Sequence, residues 1–372
     1  MSMEQVEQQV FSIGKMPKHR IHLGEYPYTF VRVIVMRTVL FKQHEYDKLL
    51  KMSLPEMSRF MQDSSYREEI TSLGARFRGI DLIERAIALS LEKAFSKLRA
   101  ISSPELRILV DLYLGRYDYS NCKTILRAIF SGMPAEFVKE SLFFVGALGP
   151  DDFEGMLRST SVTEAIDKIP FLEKQERKLL ARSFDQSKNL ISVENFLDRR
   201  YYAGVLHVLP LLSRAGALFR EFLMEEIYII DFLTAVKLKA KGIPSSEIEK
   251  YFIAGKQASL KGKQFEEKIK RVIDASSFNP EELLKILKNS PFGDITSNVF
   301  NDGKISLGQV EINLFSNLLK KTLILQHQHP LSVDVILGFM FAKEIEGRNI
   351  RTIAKGKQLG LTEEQLALLM VR

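Results

Sequence analysis

Apolar residues along most of this chain recur three and four positions apart, the period of one helical face, and sustained alternation is scarce. The stretch Phe30-Val31-Arg32-Val33-Ile34-Val35-Met36 argues for a strand, because it is rich in β-branched residues. Its continuation carries helical spacing at Leu40, Tyr46, Leu49 and Leu50, and a lone strand would have nothing to pair with. The whole segment is therefore expected to be helix. Breakers are widely spaced, at Pro55, Pro104, Gly132 to Pro134, Gly149-Pro150, Pro170, Gly242 to Pro244, Asn279-Pro280, Pro291, Asn301 to Gly303 and Pro330. Ser53-Leu54-Pro55-Glu56, Ser102-Ser103-Pro104-Glu105 and Asn279-Pro280-Glu281 read as helix starts. Proline in a first turn gives up an N–H that no intrahelical carbonyl would accept, and the acid complements the positive end of the helix dipole.

The punctuation repeats three times. Asn121, Asp231 and Asn349 are each followed by apolar residues at offsets 1, 4 and 5, a basic residue at offset 6 (Arg127, Lys237, Lys355) and glycine at offset 11 (Gly132, Gly242, Gly360). A second element precedes each copy. Ile83-Glu84, Val193-Glu194 and Val310-Glu311 open helices whose apolar residues recur four apart, and the glutamates stand 37, 37 and 38 residues before the Asn or Asp. A weaker third element aligns Met61 to Ile70, Leu157 to Ile166 and Leu287 to Ile295. Elements that hold their mutual spacing over three copies define an internal repeat with a period of about 110–118 residues. The expected organisation is an N-terminal extension, 1–25, then three helical repeat domains, 26–140, 141–255 and 256–372. Each has room for five or six helices of ordinary length. Three similar units can pack around a pseudo-three-fold axis and suit a partner with axial symmetry.

Charge changes this picture little. Lys and Arg number 53 against 46 Asp and Glu, a net +7 that is small for 372 residues. The densest basic stretch, Lys256 to Arg271, is interrupted by Glu266 and Glu267, unlike the acid-free stripe of a nucleic-acid binder, so no nucleic-acid partner is expected. The most apolar long stretch, Tyr202 to Phe219, contains His207, Pro210 and Arg214, which excludes a membrane span there. The first fifteen residues lack an apolar core of a signal peptide, and a cytoplasmic location is expected. One cysteine, Cys122, excludes an intrachain disulfide and a Cys-based zinc site. With no Trp and 25 Phe, the core is expected to be built from Phe, Leu and Ile.

No catalytic constellation assembles from the sequence. His327 and His329 are two apart, so their rings diverge on a helix, and Cys122 falls on an apolar face beside Ile125. Gly255 to Gln264 has six residues between its glycines and Gln264 where a phosphate loop needs Ser or Thr. Neither catalytic residues, metal nor cofactor is expected. Two readings remain for Glu84, Glu194, Glu311, Arg127, Lys237 and Lys355: three equivalent interhelical ion pairs or helix-end contacts, or basic residues that face a shared opening and meet an acidic partner.

At these residues the sequence resembles the C subunit of A/V-type rotary ATPases, which corresponds to the d subunit of the eukaryotic vacuolar enzyme. The resemblance is carried by Tyr26-Pro27-Tyr28 with Arg32, by Val193-Glu194-Asn195-Phe196-Leu197-Asp198-Arg199-Arg200-Tyr201-Tyr202, and by Lys343-Glu344-Ile345-Glu346-Gly347-Arg348-Asn349-Ile350-Arg351-Thr352-Ile353 with Gly356-Lys357 and Gly360-Leu361. It covers Tyr26 to the end and leaves residues 1–25 unassigned. It implies an all-α, funnel-like protein of three similar domains. Such a protein has no catalytic site or cofactor and couples the central stalk to the membrane rotor ring of a proton- or sodium-translocating ATPase. The implied partners are the proteins of the rotor ring and of the central stalk, with one copy per complex, at the cytoplasmic face of a membrane and without lipid insertion. The competing class is a cytoplasmic helical-repeat scaffold whose units stack in a row.

Overall fold

A computed structural model describes residues 21–213, 216–253, 300–301, 304–328 and 331–371, with isolated positions between 267 and 288. The protein is all-α. Its first helices are α1 (Pro27–Thr38), α2 (Gln43–Lys51), α3 (Leu54–Gln62), α4 (Arg67–Leu73), α5 (Gly79–Ala100), α6 (Pro104–Phe130) and α7 (Ala135–Lys139). Then follow α8 (Pro150–Leu157), α9 (Val162–Asp167), α10 (Lys174–Ser187), α11 (Ile191–Val208), α12 (Ala217–Ala240) and α13 (Ser245–Ile248). The chain ends in α14 (Leu307–Gln328), α15 (Val333–Gln358) and α16 (Glu363–Leu368). A two-residue antiparallel strand pair precedes α14, with Phe300 opposite Ile305 and Asn301 opposite Lys304.

Local chemistry sets the boundaries. Glu56 accepts the Ser53 N–H and hydroxyl at 2.7 Å each and opens α3, and the Ser103 hydroxyl accepts the Leu106 N–H at the start of α6. The segment expected as one helix from Phe30 to Leu50 is two. It breaks after Thr38, and Glu45 accepts the Lys42 N–H at 2.7 Å to begin α2. Phe41 occupies the break and is buried edge-on against Tyr46, Phe60 and Tyr66, so core packing of one aromatic ends the helix that spacing alone would continue. The expected start at Asn279 lies outside the described residues, as do most of the third copy of the weak element and most of the basic stretch from Lys256 to Arg271.

Two compact units form. Of the described residues, one comprises 92–213 with 21–22, the other 23–91 with those after 215. The boundary falls inside α5. In the first unit α6 packs on α11, and its core joins Cys122, Ile125 and Leu126 to Phe153, Leu180 and Leu197. In the second, α15 packs on α14, α1 and α2, and α12 packs on α14. Among the described residues no helix is long and apolar enough to cross a membrane.

Candidate functional site

The repeat-equivalent positions are the candidate site, and their helices place them alike. The offset-1, -4 and -5 residues of all three copies are buried: Cys122, Ile125 and Leu126; Phe232, Ala235 and Val236; Ile350, Ile353 and Ala354. Asn121, Asp231 and Asn349 share that face and are buried too. A polar group there requires a partner, and each finds it 22 residues later. Asn121 Oδ1 accepts the Phe143 N–H at 2.9 Å, and its Nδ2 donates to the Phe143 carbonyl at 2.7 Å. Asn349 does the same to Val371 at 2.9 and 2.7 Å. Asp231 Oδ1 accepts the Ile253 N–H at 2.8 Å.

Between each anchor and its target lies the same path of long helix, left-handed glycine and short helix. Gly132, Gly242 and Gly360 have φ of 70°, 76° and 75°. The N–H after each glycine reaches the carbonyl five residues back: Met133 to Ala128, Ile243 to Leu238 and Leu361 to Gly356. This is the hydrogen-bonded helix end that favours glycine. α7, α13 and α16 then start at Ala135, Ser245 and Glu363, and the buried Asn or Asp ties down the chain beyond them.

The basic residues and glutamates form ion pairs. Arg127 pairs with Glu194 through two bonds, Nε to Oε1 at 2.6 Å and Nη2 to Oε2 at 2.8 Å. Lys237 meets Glu311 Oε2 at 2.8 Å, with Arg348 on Oε1 at 3.2 Å. Lys355 meets Glu84 at 2.9 Å, with Arg351 at 3.6 Å. Each pair joins the long helix of one repeat to the glutamate helix of the next: first to second, second to third, and third back to first. Burial works against the Glu311 charge, yet Lys237 and Arg348 hold its carboxyl below the usual range. The hydrogen bond that Arg127 donates to Glu194 raises the arginine's pKa against the opposing effect of its partial burial.

Other polar groups in these helices were not readable from spacing. Arg200 and Glu176 form a buried pair at 2.8 Å, as do Lys343 and Glu346. Asp118 accepts the Ala147 and Leu148 N–H groups at 2.9 and 3.4 Å, while Arg99 donates to the Val145 and Gly146 carbonyls. Burial pushes the Asp118 carboxyl up to about 6, against the two N–H bonds and Arg99. Gly146 makes this fit possible, since a Cβ there would stand 2.0 Å from Asp118 Oδ1. A signal for such groups exists in the sequence: a polar residue in phase with apolar ones on a buried face, as Asp118 is with Cys122 and Ile125. Cys122 is buried 3.8 Å from Met156 Sδ, and burial pushes its thiol well up, which makes it an unreactive packing group. Among the described residues no three His, Cys, Asp or Glu side chains gather as a metal set. His329 and Gly255 to Gln264 lie outside the described residues.

Fold and site together define an all-α protein in which the residues at repeat-equivalent sequence positions form interhelical ion pairs or tie down the chain beyond a helix end. The chain belongs to the ATP synthase (C/AC39) subunit family, whose model matches residues 30–367. The C subunit of the A-type ATP synthase of Haloquadratum walsbyi is 32% identical over 346 residues, covering 91% of this chain and 96% of that protein. The C subunit of the Haloferax volcanii enzyme is 31% identical over 344 residues, 91% of this chain and 95% of that protein. That of Methanosarcina barkeri is 29% identical over 352 residues, 94% of each.

Proposed function

We propose that this chain is the non-catalytic C subunit of an A/V-type rotary ATPase, joining its central stalk to the membrane rotor ring. The observation that carries the reading is the family match over nearly the whole chain, to relatives named as the C subunit of A-type ATP synthases that it covers almost end to end. Three repeats at 26–140, 141–255 and 256–372 form the torque-bearing body. The order of the ion pairs supports the repeat assignment: residues of the first copy pair with the second, the second with the third and the third with the first. A part that transmits torque must resist shear between its helices, and packed helices with polar ties at their seams do so. The protein sits peripherally at the cytoplasmic face of the membrane through the complex. Its repeat-equivalent residues serve the body first: Arg127, Lys237 and Lys355 are already neutralised by glutamates, so an acidic partner would have to displace them. Affinity purification of the tagged protein from detergent-solubilised membranes tests the reading. Recovery of ring and stalk proteins with one copy of this chain is expected; recovery of neither overturns it.

A further inference from the structure

A cavity of about 320 Å³ opens where α1, α2 and α15 meet, within the second unit. That volume lies at the small end of ligand sites. Most polar groups in its wall already have partners. Glu346 accepts from Lys343 Nζ at 2.8 Å and from the Phe41 N–H at 3.0 Å. Asn349 spends both ends of its amide on Val371. Gln43 donates to Asp47. Arg37 differs. It is half-buried, and among the described residues its guanidinium makes no hydrogen bond and meets no carboxylate. Burial alone draws its pKa down, with no acid to oppose the shift. Lys42, exposed, lines the same cavity.

A half-buried cation without a counter-charge carries an uncompensated desolvation cost. Arg37 does lie in the last turn of α1, where a cation favours the helix dipole, but a solvated lysine would give that benefit without burial. A guanidinium offers paired donors that match a carboxylate or phosphate edge, and the ammonium of Lys42 adds a second positive charge. The remaining wall, including Leu40, Leu319 and Ile345, is largely apolar and would strengthen that contact by lowering the local dielectric.

We propose that this cavity is a binding site for a small oxyanion, a carboxylate or phosphate group held by Arg37 with Lys42 beside it. The inference is independent of the rotary reading, since it concerns the isolated chain. The test uses the full-length protein with inorganic phosphate or acetate as probes, against sodium chloride at matched ionic strength. Thermal melting of the wild type is expected to rise by about 2 °C in one of the two oxyanions once the site is near saturation. The rise should be absent in Arg37→Gln and reduced in Lys42→Gln. Without oxyanion, Arg37→Gln is expected to melt at or above the wild-type temperature, because it removes an uncompensated charge. Phosphate and acetate arms separate the two ligand chemistries. Equal rises in wild type and Arg37→Gln, no rise in either oxyanion, or an Arg37→Gln protein that melts markedly lower without ligand would each overturn the proposal. The last outcome would make Arg37 a structural cation.

Discussion

Asn121 and Asn349 show how much one buried amide can fix. Each uses donor and acceptor on a single backbone residue 22 positions away, and a carboxylate could fill only the acceptor role. Asn121→Asp and Asn349→Asp retain the acceptor, lose the donor and bury a charge opposite a carbonyl oxygen. Each is expected to cost about 1–3 kcal/mol in urea unfolding. Asp231→Asn, which restores the pattern of the other two copies, should cost less. Asp118 gives a pH signature with a definite sign. Its folded pKa of about 6 lies above the unfolded value of about 3.9, so the native state binds the proton more readily. The stability this contributes is full below about pH 3.9 and is lost as pH rises through about 6. Wild type minus Asp118→Asn, measured by urea unfolding, should therefore be larger at pH 4.5 than at pH 7. An equal difference at both would show that the carboxyl titrates normally.

At the scale of elements, the three glycine-capped helix ends were legible in the sequence because backbone geometry restricts the residue choice there. Each glycine adopts positive φ, and a Cβ would meet no atom within 4 Å at any of the three. The requirement is therefore conformational and not one of space. Alanine at Gly132, Gly242 or Gly360 is expected to destabilise by about 1 kcal/mol each, read as a lower melting temperature. The alternative reading, that these glycines admit a close neighbour, predicts a larger and more variable cost. The buried helical faces were legible for a related reason: periodicity reports which side of a helix meets the core, and Ile83, Val193 and Val310 are all fully buried. The break at Phe41 was not legible, because Leu40 and Tyr46 keep helical spacing across it and lysine is not a typical cap. Nor were the targets of Asn121 and Asn349, since a hydrogen bond to backbone leaves no mark on the residue that receives it. The ion pairs were legible as repeated positions. Their linkage between successive repeats depends on tertiary contact, which spacing within one repeat cannot carry.

For the whole molecule, the three ion pairs are individually weak. Arg127, Lys237 and Lys355 have side chains 61%, 48% and 55% exposed, so each pair is worth only about 0.2–1 kcal/mol. Each links a long helix to a glutamate helix distant in the sequence. The triple variant Arg127→Ala, Lys237→Ala, Lys355→Ala should therefore melt only a few degrees lower at low salt. The difference should shrink in 0.5 M sodium chloride, since exposed pairs are screened over roughly 4–5 Å there. If the basic residues serve the body of the protein, the triple variant, purified from membranes, should still bring down ring and stalk proteins in wild-type proportion. A variant of unchanged melting temperature that loses its partners would place the same three cations at an interface. The companion Glu84→Gln, Glu194→Gln, Glu311→Gln separates the cases further. It breaks the same internal pairs while leaving the cations free, so it should match the alanine variant in stability. It should also capture an acidic partner more tightly than wild type only if the cations face one.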